Sequence, residues 1–223
     1  MDVSHNLEMI QATIQEACGK SKRSPKEINI IGVTKYVTIE RTKEALQAGI
    51  EHLGENRQEG FMEKYEHFGK QATWHFIGSL QTRKVKEIID KVDFIHSLDR
   101  LSLAKEIDKR SEKTVNCFVQ VNVSGEESKH GMKPDQVVPF LEEISKYSKI
   151  KVVGLMTMAP HTDDEQVIRG VFRDLAELRN AIKEEHYQHA PCDFLSMGMS
   201  NDYHLAIEEG ATHIRIGSKL VGS

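Results

Sequence analysis

The stretch INIIGVTKYVTIERTKEALQAG, residues 28–49, contains the unit that decides the fold. Its first part, residues 28–35, is an apolar run of the length and composition typical of a buried β-strand. Residues 38–49 have helical periodicity, with Thr38 at a position suited to an N-cap and Gly49 at a position suited to the helix end. A strand followed directly by a helix is the repeating unit of parallel α/β folds.

The same strand–helix unit recurs along the chain, and its clearest helix is the periodic segment 165–185. Eight strands that alternate with helices imply a parallel sheet covered by helices, and eight is the number that closes a (β/α)8 barrel. We therefore predict a single α/β domain over residues 1–223, a (β/α)8 TIM barrel preceded by an N-terminal helix. An open doubly wound sheet is the alternative. The eight strand candidates are INIIGVTK at 28–35, IEHLGE at 50–55, WHFIGS at 74–79, DFIHSL at 93–98, NCFVQVNV at 116–123, KVVGLMTM at 151–158, FLSMG at 194–198 and HIRIG at 213–217.

The composition argues against several classes of protein. Thirty Lys and Arg residues against 34 Asp and Glu give a formal charge of -4, which disfavours a nucleic-acid-binding surface. No apolar run approaches the roughly 20 residues that span a bilayer, and the first residues lack the basic start and apolar core of a secretory signal. The three cysteines are far apart and form no pair or metal motif, so we expect a protein of the reducing cytoplasm.

Two strand ends carry residues suited to anion binding. In a barrel of this kind, functional residues lie at the C-terminal ends of the strands, and the loops after strands seven and eight are the usual phosphate site. The stretch SMGMSND places Ser200 as a candidate helix N-cap after strand seven, and RIGSKLVG places Gly217 and Ser218 after strand eight. Two ordinary turns are the alternative, and the carboxylate of Asp202 is a poor neighbour for a phosphate.

Lys35 is a cation at the tip of an apolar strand. Alternation along the strand places Ile31, Val33 and Lys35 on one face, which we expect to point inward. Burial at a barrel mouth would lower the pKa of a lysine and expose a nucleophilic amine, which condenses with carbonyls and with pyridoxal phosphate in particular. The alternative is a lysine just past the strand end with its ammonium group in water.

Arg215 lies inside the apolar stretch THIRIG, which rarely accommodates a charge. An inward arginine beside a phosphate site would face the pyridine nitrogen of a bound cofactor. Because arginine stays protonated, it would keep that nitrogen unprotonated and weaken the ring as an electron sink. Such an arrangement suits racemisation or simple holding and disfavours transamination. A salt bridge to a barrel carboxylate such as Glu55 is the alternative.

Several other motifs are missing from the sequence. It contains no HExxH or cysteine-rich metal spacing, no glycine-rich nucleotide-binding motif and no G-x-S-x-G elbow. We therefore expect neither a metal nor a nucleotide as the ligand.

Six stretches occur in order between about residues 28 and 218: GVTKYV, HLGENRQE, WHFIGSLQTRK, SKHGM, GLMTM and SMGMSNDYHLAIEEGATHIRIGS. Together they resemble the pyridoxal phosphate homeostasis protein family, also called the YggS or PROSC family. The resemblance implies a barrel similar to the N-terminal domain of alanine racemase, with pyridoxal 5'-phosphate (PLP) held as a Schiff base. The residues that it implies for cofactor binding are Lys35 for the Schiff base, Ser200, Gly217 and Ser218 for the phosphate, Arg215 for the pyridine nitrogen, and Asn56.

Two further positions matter for the resemblance. Lys129, in SKHG, matches a lysine associated in the family with cofactor movement. Arg83, in LQTRK, stands where many members have asparagine, and the resemblance gives it no role.

The resemblance also implies a function. We expect a cytoplasmic protein that carries or buffers PLP in vitamin B6 and amino-acid homeostasis, without turnover of its own. The alternative is a PLP-dependent amino-acid racemase, which needs a base on each face of the substrate. In alanine racemase the second base is a tyrosine that depends on a second domain, for which this chain has no room. A Schiff-base aldolase without PLP is a third possibility, which Arg215 disfavours because it adds a second cation near the imine.

The expected partners follow from this function. They are PLP itself and apoenzymes that need it as recipients, with no nucleic acid and no membrane. We expect the protein to be a monomer or a weak homodimer.

Overall fold

A computed structural model, which describes residues 2–222, contains eight parallel strands that close into a barrel. Each strand pairs with the next in the sequence, and β8 pairs with β1 to close the sheet, with Ile31 beside Arg215. This closure confirms the predicted (β/α)8 barrel and excludes the open sheet. The strands are β1 (Asn29–Val33), β2 (His52–Glu55), β3 (Thr73–Phe76), β4 (Phe94–Leu98), β5 (Val115–Gln120), β6 (Ile150–Met156), β7 (Phe194–Met199) and β8 (His213–Ile216).

Nine α-helices in the described part of the chain precede, connect and follow the strands. The predicted N-terminal helix is α1, and the predicted segment 165–185 is α7. None of the helices within residues 2–222 is both long and apolar enough to cross a membrane. The helices are α1 (Val3–Ser21), α2 (Ile39–Gln47), α3 (Gln58–Phe68), α4 (Val85–Ile88), α5 (Leu101–Arg110), α6 (Pro134–Ile144), α7 (Glu165–Glu184), α8 (Tyr203–Glu208) and α9 (Ser218–Val221).

The first strand–helix unit forms as its sequence predicts. The Thr38 hydroxyl accepts a hydrogen bond from the amide of Arg41 at 3.2 Å, which caps the N-terminus of α2. Gly49 follows the end of the helix with φ of +106°, a conformation that a glycine adopts without strain. The amide of Ile50 then donates to the carbonyl of Ala45 at 3.1 Å and turns the chain into β2.

The barrel interior is filled by aromatic and imidazole rings as well as by aliphatic side chains. The rings of His75 on β3 and His213 on β8 are 6.2 Å apart, and Phe118 on β5 lies 5.2 Å from His213. Because neither β3 nor β5 is a sheet neighbour of β8, these contacts cross the interior. A larger apolar layer, to which Leu53 and Phe172 belong, fills the space between the strands and the helices.

The buried histidines predict an acid-sensitive fold. Burial lowers the pKa of His75 and His96 well below the ordinary value and that of His213 to about 3. The unfolded chain therefore binds more protons than the folded protein below about pH 6.5. The free energy of unfolding should fall as the pH drops from 6.5 to 5, by about 2 kcal/mol for each buried neutral histidine.

Urea unfolding at both pH values measures this dependence. His213→Phe should make this pH dependence shallower by the contribution of one histidine. The substitution leaves no buried polar group unpaired, because Thr212, the polar partner of His213, also bonds the Leu195 backbone. His5→Gln, on the exposed face of α1, is the matched control and should leave the dependence unchanged. An unaltered dependence in His213→Phe would show that this histidine does not stay neutral in the fold.

Candidate functional site

A cavity of about 720 Å³ lies at the C-terminal ends of the strands. Its size is typical of small-molecule sites. All six residues expected at a cofactor site line it: Lys35, Asn56, Ser200, Arg215, Gly217 and Ser218. A second depression, of about 840 Å³, lies on the outer surface beside α2 and α3 and is separate from these residues.

Lys35 lies in the turn after β1, at the mouth of the cavity. Strand β1 ends at Val33, and Tyr36 has φ of +67°, so strand alternation stops before Lys35. The expected burial is therefore wrong: Lys35 is exposed, although it lines the cavity beside Val33. An incoming ligand can reach this amine directly from solvent.

The residue before Lys35 is fixed by a buried cluster of charges. The hydroxyl of Thr34 donates to the carboxylate of Glu55 at 2.6 Å, and the same carboxylate oxygen lies 2.8 Å from Nζ of Lys64 on α3. All three side chains are buried. Glu55 thereby connects the end of β1 to α3 and holds the turn that presents Lys35.

The loops after β7 and β8 meet at one side of the cavity. Ser200 is not the N-cap of the next helix, as the sequence suggested, because α8 begins later, at Tyr203, after Asp202. The Ser200 hydroxyl instead accepts from the amide of Lys219 at 3.5 Å, which connects the two loops. The Asp202 carboxylate accepts from the amide of Met199 at 2.6 Å, so a backbone donor partly offsets its charge.

The start of α9 provides the second half of this anion-binding region. Gly217 precedes the helix, and Ser218 is its first residue. The amide of Ser218 has no acceptor within the helix, because the first amides of a helix lack a preceding turn, whereas the amide of Lys219 donates to Ser200. Hydroxyl groups and backbone amides are the donors that phosphate groups accept in such loops.

Gly198 sets the course of the loop that carries Ser200. It has φ of +94°, and a Cβ at this position would lie 2.7 Å from Cβ of Ala206 and 2.9 Å from Cα of Tyr203. Gly198→Ala should therefore lower the free energy of unfolding by about 2–3 kcal/mol, through backbone strain and overpacking. Urea unfolding checks the loss. Gly170→Ala is the control, because a Cβ there meets nothing within 4 Å and should stabilise α7.

Arg215 forms the floor of the cavity and is almost completely buried, at 5% exposure. Its guanidinium donates to the Ser196 hydroxyl at 2.5 Å and to the Thr157 carbonyl at 3.0 Å. Burial lowers its pKa to about 10, and the Asp202 charge opposes that shift, so the guanidinium stays protonated at neutral pH. The expected alternative of a salt bridge to Glu55 is wrong, since Glu55 pairs with Lys64.

Asn56 follows β2 and approaches the loop after β3 closely. A Cβ on Gly78 would lie 2.2 Å from the Asn56 carbonyl oxygen, so only glycine fits beside this backbone. Interaction with the Asn56 side chain lowers the pKa of Tyr36, and the positive charge of Arg57 lowers it further. Tyr36 is 74% exposed at the rim and is not among the residues that line the cavity.

The loops after β5 and β6 close the opposite side of the cavity. Nζ of Lys129 donates to the Ala159 carbonyl at 3.0 Å and lies 3.8 Å from the Glu126 carboxylate. His161, in the loop after β6, also lines the cavity. The rule that function lies at strand ends points to both loops, and the family resemblance had singled out Lys129 but not His161.

The donor set of the cavity suits one kind of ligand. An accessible amine, a buried guanidinium and two loops with hydroxyl and amide donors match an aldehyde, a ring nitrogen and a phosphate. Among residues 2–222, no group of three or more His, Cys, Asp and Glu side chains is placed to hold a metal ion. The three cysteines are free and buried, and burial raises the pKa of Cys192 to about 12.

Fold and sequence together place this protein in the class of barrels that form the N-terminal domain of alanine racemase. The model of the family described as "Alanine racemase, N-terminal domain" matches residues 3–223. The chain belongs to the pyridoxal phosphate homeostasis protein family within this class, as the sequence motifs predicted.

Curated relatives and a solved structure support this placement. The chain is 41% identical to the pyridoxal phosphate homeostasis protein of Aquifex aeolicus over 226 residues, covering 100% of this chain and 98% of that protein. It is 32% identical to the protein of that name from Haemophilus influenzae over 229 residues, covering 100% and 96%. PipY of Synechococcus elongatus, solved with PLP bound, is similar with a TM-score of 0.87 and 27% identity, covering 99% of this chain and 100% of that one.

Proposed function

We propose that this protein binds PLP in the cavity at the strand ends and carries or buffers it without turnover of its own. The observation that supports this most strongly is the convergence of Lys35, Arg215 and the Ser200 and Ser218 loops on one cavity. A relative of similar fold has been solved with PLP bound, and curated relatives are named for PLP homeostasis.

Each predicted residue has a role that its position allows. Lys35 would supply the amine that joins the cofactor as a Schiff base, because it is accessible at the cavity mouth. Ser200, Gly217 and Ser218 would hold the phosphate between two loops that the Ser200–Lys219 hydrogen bond connects. Asn56 would lie beside the pyridine ring of the cofactor, on the side of the cavity that faces Tyr36. When bound, PLP would supply a reactive aldehyde and an electron-accepting ring.

Arg215 disfavours transamination. Its N–H groups only donate, so a ring nitrogen that faces it must accept and stay unprotonated. An unprotonated pyridine is a weaker electron sink than a pyridinium. The buried guanidinium is fixed by Ser196 and Thr157 and does not need the ligand for its own stability. This geometry suits reversible retention of the cofactor more than transamination.

We extend the proposal to the setting and partners of the protein. Three free, buried cysteines suit the reducing cytoplasm. Apoenzymes that require PLP are the expected recipients, and a monomer or weak homodimer leaves the open cavity mouth accessible to them. No role for nucleic acid or membranes is proposed.

Hydrogen exchange at the α-carbon of amino acids distinguishes holding from racemisation. The protein, loaded with PLP, is incubated with L- and D-amino acids in deuterated water, and deuterium incorporation is followed by NMR. We expect no exchange beyond that caused by the same concentration of free PLP. If the loaded protein sustained exchange over many turnovers and the Lys35→Arg variant did not, the carrier function would be refuted and the racemase alternative supported.

A further inference from the structure

Five polar side chains form a continuous hydrogen-bonded line from the cavity floor through the barrel interior. We call this line the polar column: Arg215, Ser196, His96, His75 and His52. Nη1 of Arg215 is 2.5 Å from Oγ of Ser196, and that oxygen is 2.8 Å from Nδ1 of His96. Nε2 of His96 is 2.8 Å from Nδ1 of His75, and Nε2 of His75 is 2.9 Å from Nδ1 of His52.

The column is unusual for its location. Ser196, His96 and His75 are fully buried, and Arg215 is nearly so. Barrel interiors of this class are mostly packed with branched apolar side chains, and buried polar groups cost free energy unless each is hydrogen-bonded. The strands that supply the column are β8, β7, β4, β3 and β2, and the Ser196–His96 contact crosses the barrel.

The column has a direction, and Arg215 sets it. A guanidinium can only donate, so the Ser196 oxygen accepts from Arg215. Among the described side chains, Arg215 and His96 are the hydrogen-bond partners of this hydroxyl. Its own proton is therefore donated to Nδ1 of His96. The opposite arrangement would give the hydroxyl two N–H donors and leave its proton without an acceptor among the described residues at a fully buried position.

The direction passes from one imidazole to the next. A neutral imidazole has one donor and one acceptor nitrogen. Because Nδ1 of His96 accepts, its Nε2 carries the proton and donates to His75. The same reasoning makes His75 donate to His52. Burial lowers the pKa of both His96 and His75, and the charge of Arg215 adds to the shift at His96, which keeps both rings neutral as this alternation requires.

We propose that Ser196, His96 and His75 are positioning residues that hold the Arg215 guanidinium at the cavity floor, and that Arg215 in turn locks the column histidines as Nε2–H tautomers. The cofactor-related part rests on the proposed function, in which Arg215 faces the pyridine nitrogen. With one N–H committed to Ser196 and another to Thr157, the guanidinium keeps a fixed plane toward the cavity. Loss of the column frees the guanidinium to rotate and weakens its contact with a ring nitrogen.

Nitrogen-15 NMR of the histidine side chains tests the direction in the whole chain, without PLP and with it. We expect His96, His75 and His52 to be Nε2–H tautomers at pH 7.5 in both forms. Ser196→Ala removes one oxygen and the link to Arg215, so His75, which is not its neighbour in the column, should become a mixture of tautomers. An Nδ1–H tautomer at His96 or His75 in the unsubstituted protein, or an unchanged His75 in Ser196→Ala, overturns the proposal.

PLP binding tests the positioning role. We expect Ser196→Ala and His96→Phe to weaken the apparent affinity about tenfold, the usual effect of losing one hydrogen bond to a charged group. His96→Gln, whose amide has an acceptor and a donor, should recover part of the loss. His213→Phe is the matched control, because His213 packs against the same rings but bonds Thr212 outside the column.

The outcomes separate this proposal from the proposed function. If the unsubstituted protein binds PLP and the Ser196→Ala and His96→Phe variants bind it equally well, the column has no positioning role. If the unsubstituted protein does not bind PLP, the proposed function fails, while the tautomers still decide whether Arg215 directs the column. Ser196→Ala keeps the test valid should His96→Phe fail to fold.

Discussion

Lys35→Arg should abolish the covalent retention of PLP. The variant keeps a positive charge at the cavity mouth but has no amine that can condense with an aldehyde. The phosphate loops and Arg215 remain, so binding should weaken by about a hundredfold, equivalent to about 2.7 kcal/mol, and lose its imine absorption band. Visible spectra and retained PLP after gel filtration measure both effects.

Lys129→Arg is the matched control for this prediction. Lys129 lines the same cavity, but its Nζ donates to the Ala159 carbonyl, a bond that arginine can keep. We expect this variant to retain PLP and its absorption band. If Lys129→Arg lost the band and Lys35→Arg kept it, the anchor would be the lysine of the β5 loop, and the assignment of Lys35 would be refuted.

The buried ion pair beneath the Lys35 turn should carry the second large effect. The side chains of Glu55 and Lys64 are 2% and 4% exposed, so removal of either charge leaves the other buried without its partner. Glu55→Gln and Lys64→Met should each lower the free energy of unfolding by about 3–5 kcal/mol. Both should also weaken PLP binding, because Glu55 holds Thr34, the residue before Lys35.

The double variant shows whether the two charges act as a pair. Glu55→Gln combined with Lys64→Met leaves no unpaired charge in the interior, and its destabilisation should be smaller than the sum of the two single effects. Glu16→Gln, which removes one partner of the exposed pair with Lys20, should leave the urea midpoint unchanged. Additive losses in the double variant would mean that Glu55 and Lys64 contribute independently.

The fold could be predicted because its determinants are local. Each strand is a short apolar run, and helix signals such as Thr38 and Gly49 act within a few residues of their positions. Counting eight such units was enough to choose a closed barrel. The strand-end rule pointed to the loops after strands seven and eight, and the family resemblance completed the set of six residues that line one cavity.

The details of the site depend on contacts that no local pattern contains. Lys35 lies beyond the last strand residue because the chain turns at Tyr36, so alternation gave the wrong burial. The partners of Arg215 come from 19 and 58 residues away, and its expected partner Glu55 is taken by Lys64. The polar column, which is built from five strands, likewise cannot be predicted before the barrel closes.

Reduction of the PLP-loaded protein with borohydride, followed by peptide mass mapping, tests the central claim most directly. Borohydride converts an imine into a stable amine, so the attached lysine keeps a pyridoxyl phosphate group through digestion. We predict one modified peptide, with the group on Lys35. Modification at another lysine, or no modified peptide despite bound PLP, would contradict the assignment of Lys35 as the anchor of the cofactor.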